Sequence, residues 1–181
     1  MKVSIIQPAG AITAEAAKDN KLTQNFTLGE MANLAGDPAL AQYLFSPASY
    51  TFMLALQNFR HIVKRPVVVN SGYRQYNYNK RIGGDANSLH LKACAADIQP
   101  IAGMAVNDYI NTWFNCLGAL GLMGAINIYP GHTYYHLEAF SDTVYGYSKQ
   151  TVRVYSSDAE YKQLINDYAA YTDYINIMRF K

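Results

Sequence analysis

The chain has 181 residues, of which 50% are hydrophobic and 15% charged, and its formal net charge is +2. This length suits one domain with a sizeable core, and the composition excludes a generally disordered chain. The small net charge comes without a basic run or patch, so nothing indicates nucleic-acid binding. No apolar segment is long enough to span a membrane, and two cysteines, Cys94 and Cys116, are too few for a disulfide framework.

The N-terminal residues give little indication of function. A short apolar strand is predicted at residues 3–6 and is followed by an Ala-rich polar connection, so residues 1–25 are predicted to be an extension. One early lysine is present, but no apolar stretch has the length of a signal peptide. We therefore expect synthesis in the cytoplasm and, for a substrate outside it, release by lysis or within a virion.

Two helices and two strands are predicted in the first half of the chain. Thr27 and Glu30 form a capping box, which predicts a short helix ending near residues 36–38. Pro47 opens a second helix, and apolar residues at helical spacing continue it to about Val63. Apolar runs then predict buried strands at residues 67–69 and 95–98.

The second half of the chain alternates a helix with short strands. Residues 105–120 carry a helical apolar stripe that ends at Gly121. Strands are predicted at 125–129 and 134–139, with weaker strands at 143–147 and 151–155 and a helix after a capping box at 157–160. The predicted fold is α+β, with a small, mainly antiparallel sheet and packed helices. Residues 26–142 form the domain, and residues 143–181 add a strand and helix decoration.

Possible metal ligands lie between and after the two central strands. His90 and Asp97 are seven residues apart, and imidazole and carboxylate groups are both competent zinc ligands. A catalytic zinc takes three protein ligands and one open position, so a further ligand is required. His136 lies in the predicted strand at 134–139, where a histidine is more often structural, whereas His61 lies near a helix end beside basic residues.

The segment from residue 70 to residue 100 carries a set of closely spaced motifs. They are Ser-Gly-Tyr-Arg at 71–74, Asn79, Gly83-Gly84, and Ser88-x-His90-x-x-x-x-Ala95-x-Asp97. With these motifs the segment closely resembles the zinc D-Ala-D-Ala carboxypeptidase family, which includes L-alanyl-D-glutamate endopeptidases of phage lysins and shares its fold with the hedgehog signalling domain. The late run 124–130, followed by His136-Leu-Glu138, is similar to the family's ending, so the resemblance covers about residues 26–140.

The resemblance implies a single zinc cleft and a role for each matching residue. One zinc ion would be held by His90, Asp97 and His136. Arg74 would grip a substrate carboxylate or carbonyl, with a loop-fixing salt bridge as its alternative role. Ser88 would hydrogen-bond the substrate or order the site, unless it is only a turn hydroxyl. The implied activity is hydrolysis of an amide bond in peptidoglycan stem peptides, by a carboxypeptidase or an endopeptidase, and a phage lysin is the expected setting.

The chain departs from the family pattern at the general base. The best-known members carry Asp or Glu three residues before the last histidine, where this chain has Thr133, which cannot accept the proton. Glu138 is the favoured replacement because, on a strand, it points to the same face as His136. His132 is the second candidate, and Glu138 has the alternative role of holding the far nitrogen of His136.

A second departure is Ala93, which replaces the motif's glycine. Alanine is tolerable there if the backbone is extended and strained if φ is positive. The missing acid at Thr133 also supports a rival function, a non-catalytic zinc-containing module that binds cell wall or protein. A structural phage protein that kept the fold without a metal is a further alternative, and the sequence gives no indication of oligomeric state.

Overall fold

The computed structural model describes residues 21–32, 47–129, 131–140 and 150–155. Its helices are α1 (Leu28–Ala32), α2 (Pro47–Val63), α3 (Tyr76–Arg81) and α4 (Val106–Leu120), with a 3₁₀ turn at Leu89–Lys92. Its strands are β1 (Val69–Ser71), β2 (Ala95–Ile98), β3 (Met123–Ile128), β4 (Tyr135–Phe140) and β5 (Thr151–Val154). Within these residues, no helix is both long and apolar enough to cross a bilayer.

The described strands form one mixed sheet in the order β1-β2-β4-β3-β5. The pairs β1/β2, β2/β4 and β4/β3 are antiparallel, and β5 joins β3 in parallel. The prediction of an α+β fold with a mainly antiparallel sheet is therefore confirmed. Strand β5, within the segment predicted to decorate the domain, is the edge strand of the described sheet beside β3.

One face of the sheet is apolar and carries the core. Alternating residues of β2, β3, β4 and β5 point to this face because side chains alternate along a strand, and α2 packs on α4 and β4. Trp113 of α4 is fully buried, and its Nε1 donates to the Ala125 carbonyl at 3.0 Å. Its ring packs edge-on against Phe52 and Phe59 of α2. The long helix α2 thus backs the sheet together with α4.

The opposite face of the sheet carries a polar row that crosses all five strands. Register pairs Ser71 of β1 with Asp97 of β2, and Asp97 with His136 of β4. His136 in turn pairs with Asn127 of β3, and Asn127 pairs with Arg153 of β5. Directly paired residues project on the same side of a sheet, so the fold brings residues distant in sequence into one line. We call these five residues the polar row.

Helix and strand positions mostly follow the sequence. The capping box is observed, since the Glu30 carboxylate accepts from the Thr27 N–H at 2.7 Å and the Thr27 hydroxyl accepts from the Glu30 N–H at 3.2 Å. The first central strand begins later than predicted, because Val69 and Ser71, rather than Val67, register with β2. Helix α3 and the 3₁₀ turn were not predicted. The end of the first helix and the elements predicted at 3–6, at 143–147 and after residue 157 lie outside the described residues.

Residues 21–27 pack against α2 through a buried polar network. Leu22 is buried, and the Thr23 hydroxyl donates to Gln57 Oε1 at 2.7 Å. Gln57 Nε2 donates back to Asn25 Oδ1 at 2.8 Å. Residues 21–25, predicted to belong to an extension, therefore pack as part of the domain.

Candidate metal centre

The three predicted ligands meet at the centre of the polar row. One donor atom from each of His90, Asp97 and His136 lies within 4.8 Å of the others, and all three residues are buried. His136 Nδ1 is 2.8 Å from Asp97 Oδ1 and 3.0 Å from His90 Nε2. His90 Nε2 is 3.3 Å from Asp97 Oδ1. Three donors thus converge on one point.

The donor set fits a zinc ion. Bonds of about 2.0–2.1 Å in a tetrahedral site place neighbouring ligand atoms about 3.3 Å apart, and the three donors are separated by 2.8, 3.0 and 3.3 Å. Ligating histidines characteristically donate their other ring N–H to a carbonyl or carboxylate, and both histidines do so. The observed separations and the outward hydrogen bonds are the arrangement that a metal site requires.

His90 is held by the backbone of the Ser-Gly-Tyr-Arg segment. Its Nδ1 lies 2.6 Å from the Gly72 carbonyl, which can only accept, so Nδ1 carries the proton and Nε2 faces the other ligands. The Arg74 N–H donates to the His90 carbonyl at 3.1 Å. Glycine is required at position 72, because a Cβ there would lie 2.0 Å from the Met31 carbonyl oxygen. The glycine of the motif thus lets the strand end approach α1 while its carbonyl orients His90.

His136 is oriented by Glu138, two residues along β4. His136 Nε2 lies 2.9 Å from Glu138 Oε1, on the opposite side of the imidazole from the Nδ1 that faces the ligands. The Glu138 carboxylate also accepts from Arg153 Nη1 at 3.2 and 3.3 Å. Of the two roles considered for Glu138, this geometry favours holding the far nitrogen of His136 over accepting a proton at the ligand cluster.

Arg74 connects Asp97 with the strand β1. Its Nη2 pairs with Asp97 Oδ2, which leaves Oδ1 toward the two histidines, and its Nε donates to the Ser71 hydroxyl at 2.8 Å. The side chain is 15% exposed and lines the cavity described below. Arg74 therefore forms the salt bridge considered for it and also presents part of its guanidinium group to the cavity.

Ser88 orders the segment that carries His90. It precedes the 3₁₀ turn, and its hydroxyl accepts from the His90 N–H at 3.3 Å. The preceding loop is held by Asn79, whose Nδ2 donates to the Asp85 carbonyl at 2.8 Å. Gly84 fits directly against Asn79, since a Cβ at position 84 would lie 2.3 Å from Asn79 Oδ1. The asparagine and the second glycine of the motif are thus packing partners.

Ala93 has the left-handed backbone, with φ 54° and ψ 28°, where the family has glycine. Of the two alternatives considered, the strained one is observed. The N–H groups of Ala93 and Cys94 donate to the carbonyls of His90 and Leu89, which ends the 3₁₀ turn and starts β2. The conformation costs about 1–2 kcal/mol for an L-residue, yet it is needed to place His90 and Asp97 on one side of the turn.

The charges at the centre suit a bound cation. Burial would raise the pKa of Asp97, but hydrogen bonds from His136 and His90 hold it below its ordinary value. Burial would also raise the pKa of Glu138, but His136 and Arg153 outweigh the effect of burial and lower this pKa. Burial lowers the pKa of His90 and so favours the neutral imidazole that binds metals. Burial would lower the pKa of His136, but hydrogen bonds with Asp97 and Glu138 raise it to about 9. The centre without a metal therefore holds two ionised carboxylates, a neutral imidazole at His90 and a protonated one at His136, and metal binding would displace the latter's proton.

A cavity of about 610 Å³ lies over the cluster. Its lining includes the three predicted ligands, and Arg74 and Ser88 line it together with residues 82–85. The other wall is aromatic: Tyr129 stacks on Tyr155 at 4.6 Å and packs against Tyr134 and His132 at 5.4 and 5.8 Å, and all four line the cavity. The cavity thus joins the ligands, an arginine and an aromatic wall.

The missing acid has two candidate replacements, Glu138 and His132. Both residues line this cavity, but their surroundings differ. His132 is exposed, with its ring packed edge-on against Tyr129 and Tyr134. Glu138 is buried beneath His136 and Arg153. Thr133, at the position where the family has an acid, is exposed.

The structure adds two residues that sequence reasoning missed, Asn127 and Arg153. Arg153 Nη1 donates to Asn127 Oδ1 at 2.9 Å as well as to Glu138. The available signal was local: Asn127 is the one polar side chain of Met123–Ile128, and Arg153 stands between Val152 and Val154. A polar side chain at such a position indicates a buried partner, but its identity depends on strand register.

A model of the family described as Peptidase M15 matches residues 24–115 of the chain, which is just over half of its 181 residues. The match includes His90, Asp97 and the Ser-Gly-Tyr-Arg segment and ends before β3. No curated protein matches the chain.

Proposed function

Because the chain belongs to the peptidase M15 family, a family of metallopeptidases, we propose that it is a zinc peptidase that hydrolyses an amide bond in peptidoglycan stem peptides. The observation that carries the proposal is the convergence of His90 Nε2, Asp97 Oδ1 and His136 Nδ1 at the floor of an open cavity. A structural domain has no need for three buried, titratable donors beneath a cavity. These three residues are the proposed ligands of one zinc ion.

The chemistry divides between the metal and the side chains around it. When bound, zinc supplies Lewis-acid activation of a water molecule and of the scissile carbonyl. Arg74 presents guanidinium donors at the same cavity, where they can hold a substrate carboxylate or stabilise a developing oxyanion. Ser88 contributes by fixing the backbone at His90. The aromatic wall excludes water and offers ring surfaces on which a substrate can pack.

We assign the proton transfer to His132 and an orienting role to Glu138, which revises the preference drawn from the sequence. Glu138 is engaged by His136 and Arg153 on the side of the imidazole away from the ligand cluster. His132 lines the open part of the cavity, and imidazole is the side chain most often used as a general base near neutral pH. Its place in a turn lets it approach a substrate that enters over the ligands.

The proposal is tested by the release of new amino groups from purified peptidoglycan. The zinc-loaded protein should release amines, and a chelator or the Asp97→Ala variant should abolish release. His132→Ala should lower kcat by about 100-fold if it transfers the proton, without loss of zinc. An exposed histidine away from the cavity provides the matched control, so His61→Ala should behave as the parent.

The rival function is a non-catalytic module of the same fold, and Thr133 is the feature that favours it. Such a module would bind zinc and sediment with peptidoglycan but release no amines. His132→Ala would then change neither property. Absence of zinc from protein purified under metal-replete conditions would exclude both functions.

A further inference from the structure

Arg153 belongs to neither the ligand set nor the family match, yet it lies at the end of the polar row. It is on β5, the strand that joins the sheet in parallel beside β3. Its Nη1 contacts both oxygens of the Glu138 carboxylate at 3.2 and 3.3 Å and Asn127 Oδ1 at 2.9 Å. The side chain is 16% exposed and that of Glu138 is 8% exposed, so the ion pair is largely removed from water.

We infer that Arg153 is a positioning residue for the metal centre, acting on His136 through Glu138. This inference rests on the proposed function, because it assumes that His136 is a zinc ligand. The connected groups are the Arg153 guanidinium, the Glu138 carboxylate and the His136 imidazole. The C-terminal strand therefore contributes to metal binding without contributing a ligand.

The first step of the argument concerns the burial of Glu138. A carboxylate removed from water is costly unless it is paired and hydrogen-bonded. His136 offers Glu138 one donor, at Nε2, and Arg153 offers a full positive charge in contact with both oxygens. Without Arg153, the carboxylate would lose this charge at both of its oxygens, which favours turning toward the cavity that it lines.

The second step concerns His136. While Glu138 is hydrogen-bonded to Nε2, Nδ1 faces Asp97 and His90 and is the ring atom left to bind a metal. A Glu138 carboxylate that turned away would leave the imidazole free to change tautomer or to rotate. Residues behind metal ligands usually alter metal affinity by about 10–100-fold when they are replaced, and Arg153 is one contact further out than Glu138.

Because Arg153 also lines the cavity, it could instead bind the substrate directly. The third step distinguishes this role from the positioning of His136. An arginine that held a substrate carboxylate would alter KM and leave zinc affinity unchanged. An arginine that acts through Glu138 alters zinc affinity in the absence of substrate, and its effect depends on Glu138. A double-mutant cycle measures this dependence.

The experiment measures the zinc dissociation constant by competition with a chromophoric chelator for the parent, Arg153→Gln, Glu138→Gln and the double variant. We expect Arg153→Gln to weaken zinc binding about 10-fold, and the double variant to be no weaker than Glu138→Gln alone. The visible spectrum of the Co²⁺-substituted protein should change in both single variants. Arg81→Gln, at an exposed arginine of α3, should match the parent in both measurements.

Arg153→Lys is the control for a loss of folding in Arg153→Gln, because lysine keeps the positive charge but not the planar guanidinium donors of arginine. It should restore most of the zinc affinity, to within about 3-fold of the parent. Two results would overturn the inference. One is an unchanged zinc dissociation constant in Arg153→Gln. The other is a loss of zinc affinity in the double variant equal to the product of the losses in the two single variants. A parent that binds no zinc would instead overturn the proposed function and the inference with it, so the two failures are distinguishable.

Discussion

His90 and Asp97 are held by groups within residues 71–98. His136 is instead held by Glu138 of its own strand, and Glu138 is paired with Arg153 of β5. We call the first set, residues 71–98, the upstream half of the centre, and Asn127, His136, Glu138 and Arg153 the downstream half. In the upstream half, the Gly72 carbonyl and the Ser88 hydroxyl orient His90. In the downstream half, the corresponding support is a carboxylate that itself needs a partner on β5.

This difference predicts that the two halves tolerate substitution differently. A backbone carbonyl cannot be removed by a side-chain substitution, so the support of His90 is protected as long as residue 72 remains glycine. The support of His136 depends on two side chains, and each can be replaced singly. Among residues that are not themselves proposed ligands, we therefore expect the larger effects on metal affinity in the downstream half.

The largest expected effect comes from a proposed ligand in the upstream half. Asp97→Ala removes this proposed ligand and the partner of Arg74, and it leaves two imidazoles facing each other. We expect zinc affinity and amine release to fall by roughly 1000-fold or more, beyond the ~10–100-fold typical of residues behind the ligands. Zinc stoichiometry after dialysis checks this, and retention of one tightly bound zinc by the variant would contradict the ligand assignment.

The next effect lies in the downstream half. Glu138→Gln keeps the shape of the side chain but removes the charge that pairs with Arg153 and His136. We expect zinc affinity to fall by about 10-fold or more, with kcat of the fully zinc-loaded variant changed less than in His132→Ala. A Glu138→Gln variant that keeps full zinc affinity but loses kcat would restore Glu138 as the general base.

A smaller effect is expected from Arg74→Lys in the upstream half. Lysine can pair with Asp97, but it cannot also donate to the Ser71 hydroxyl and present a fork to the cavity. We expect kcat/KM to fall by about 10-fold with zinc affinity nearly unchanged. Steady-state kinetics on a peptidoglycan fragment measures this, and a loss of zinc as large as that of Glu138→Gln would contradict the contrast between the halves.

The smallest effect concerns stability at Ala93. Ala93→Gly removes a left-handed strain of about 1–2 kcal/mol and loses a buried methyl group worth about 0.8 kcal/mol, so the free energy of unfolding should change by less than about 1 kcal/mol. Ala96→Gly, in the extended and fully buried β2, is the matched control. It should lose more stability, because no strain is relieved, and equal losses in urea denaturation would exclude strain at Ala93.

Much of the upstream half could be predicted from the sequence. The choice of His90 and Asp97 as proposed ligands follows from their residue types and from a resemblance carried by closely spaced motifs, and the structure brings the two side chains together. The capping box at Thr27 and the helix that begins at Pro47 depend on neighbouring residues, so local chemistry was sufficient. The role of Gly72 was not predictable, because it depends on the distance to the Met31 carbonyl in α1.

The downstream half depends on strand register, which the sequence does not fix residue by residue. Placing Glu138 on the same face as His136 was correct, but its contact with Nε2 rather than with the ligand cluster depends on the imidazole's orientation. Arg153 reaches Glu138 because β5 joins β3 in parallel. If β5 had paired with β3 in the antiparallel direction, a different register would have been needed to bring Arg153 to Glu138. Nothing in the sequence of residues 151–155 distinguishes parallel from antiparallel pairing.

The coordination of zinc in a crystal structure of the loaded protein tests the account most directly. We predict one ion bound by His90 Nε2, Asp97 Oδ1 and His136 Nδ1, with an open position facing the cavity and Glu138 still hydrogen-bonded to His136 Nε2. Coordination by Glu138, by His132 or through His136 Nε2 would contradict the account.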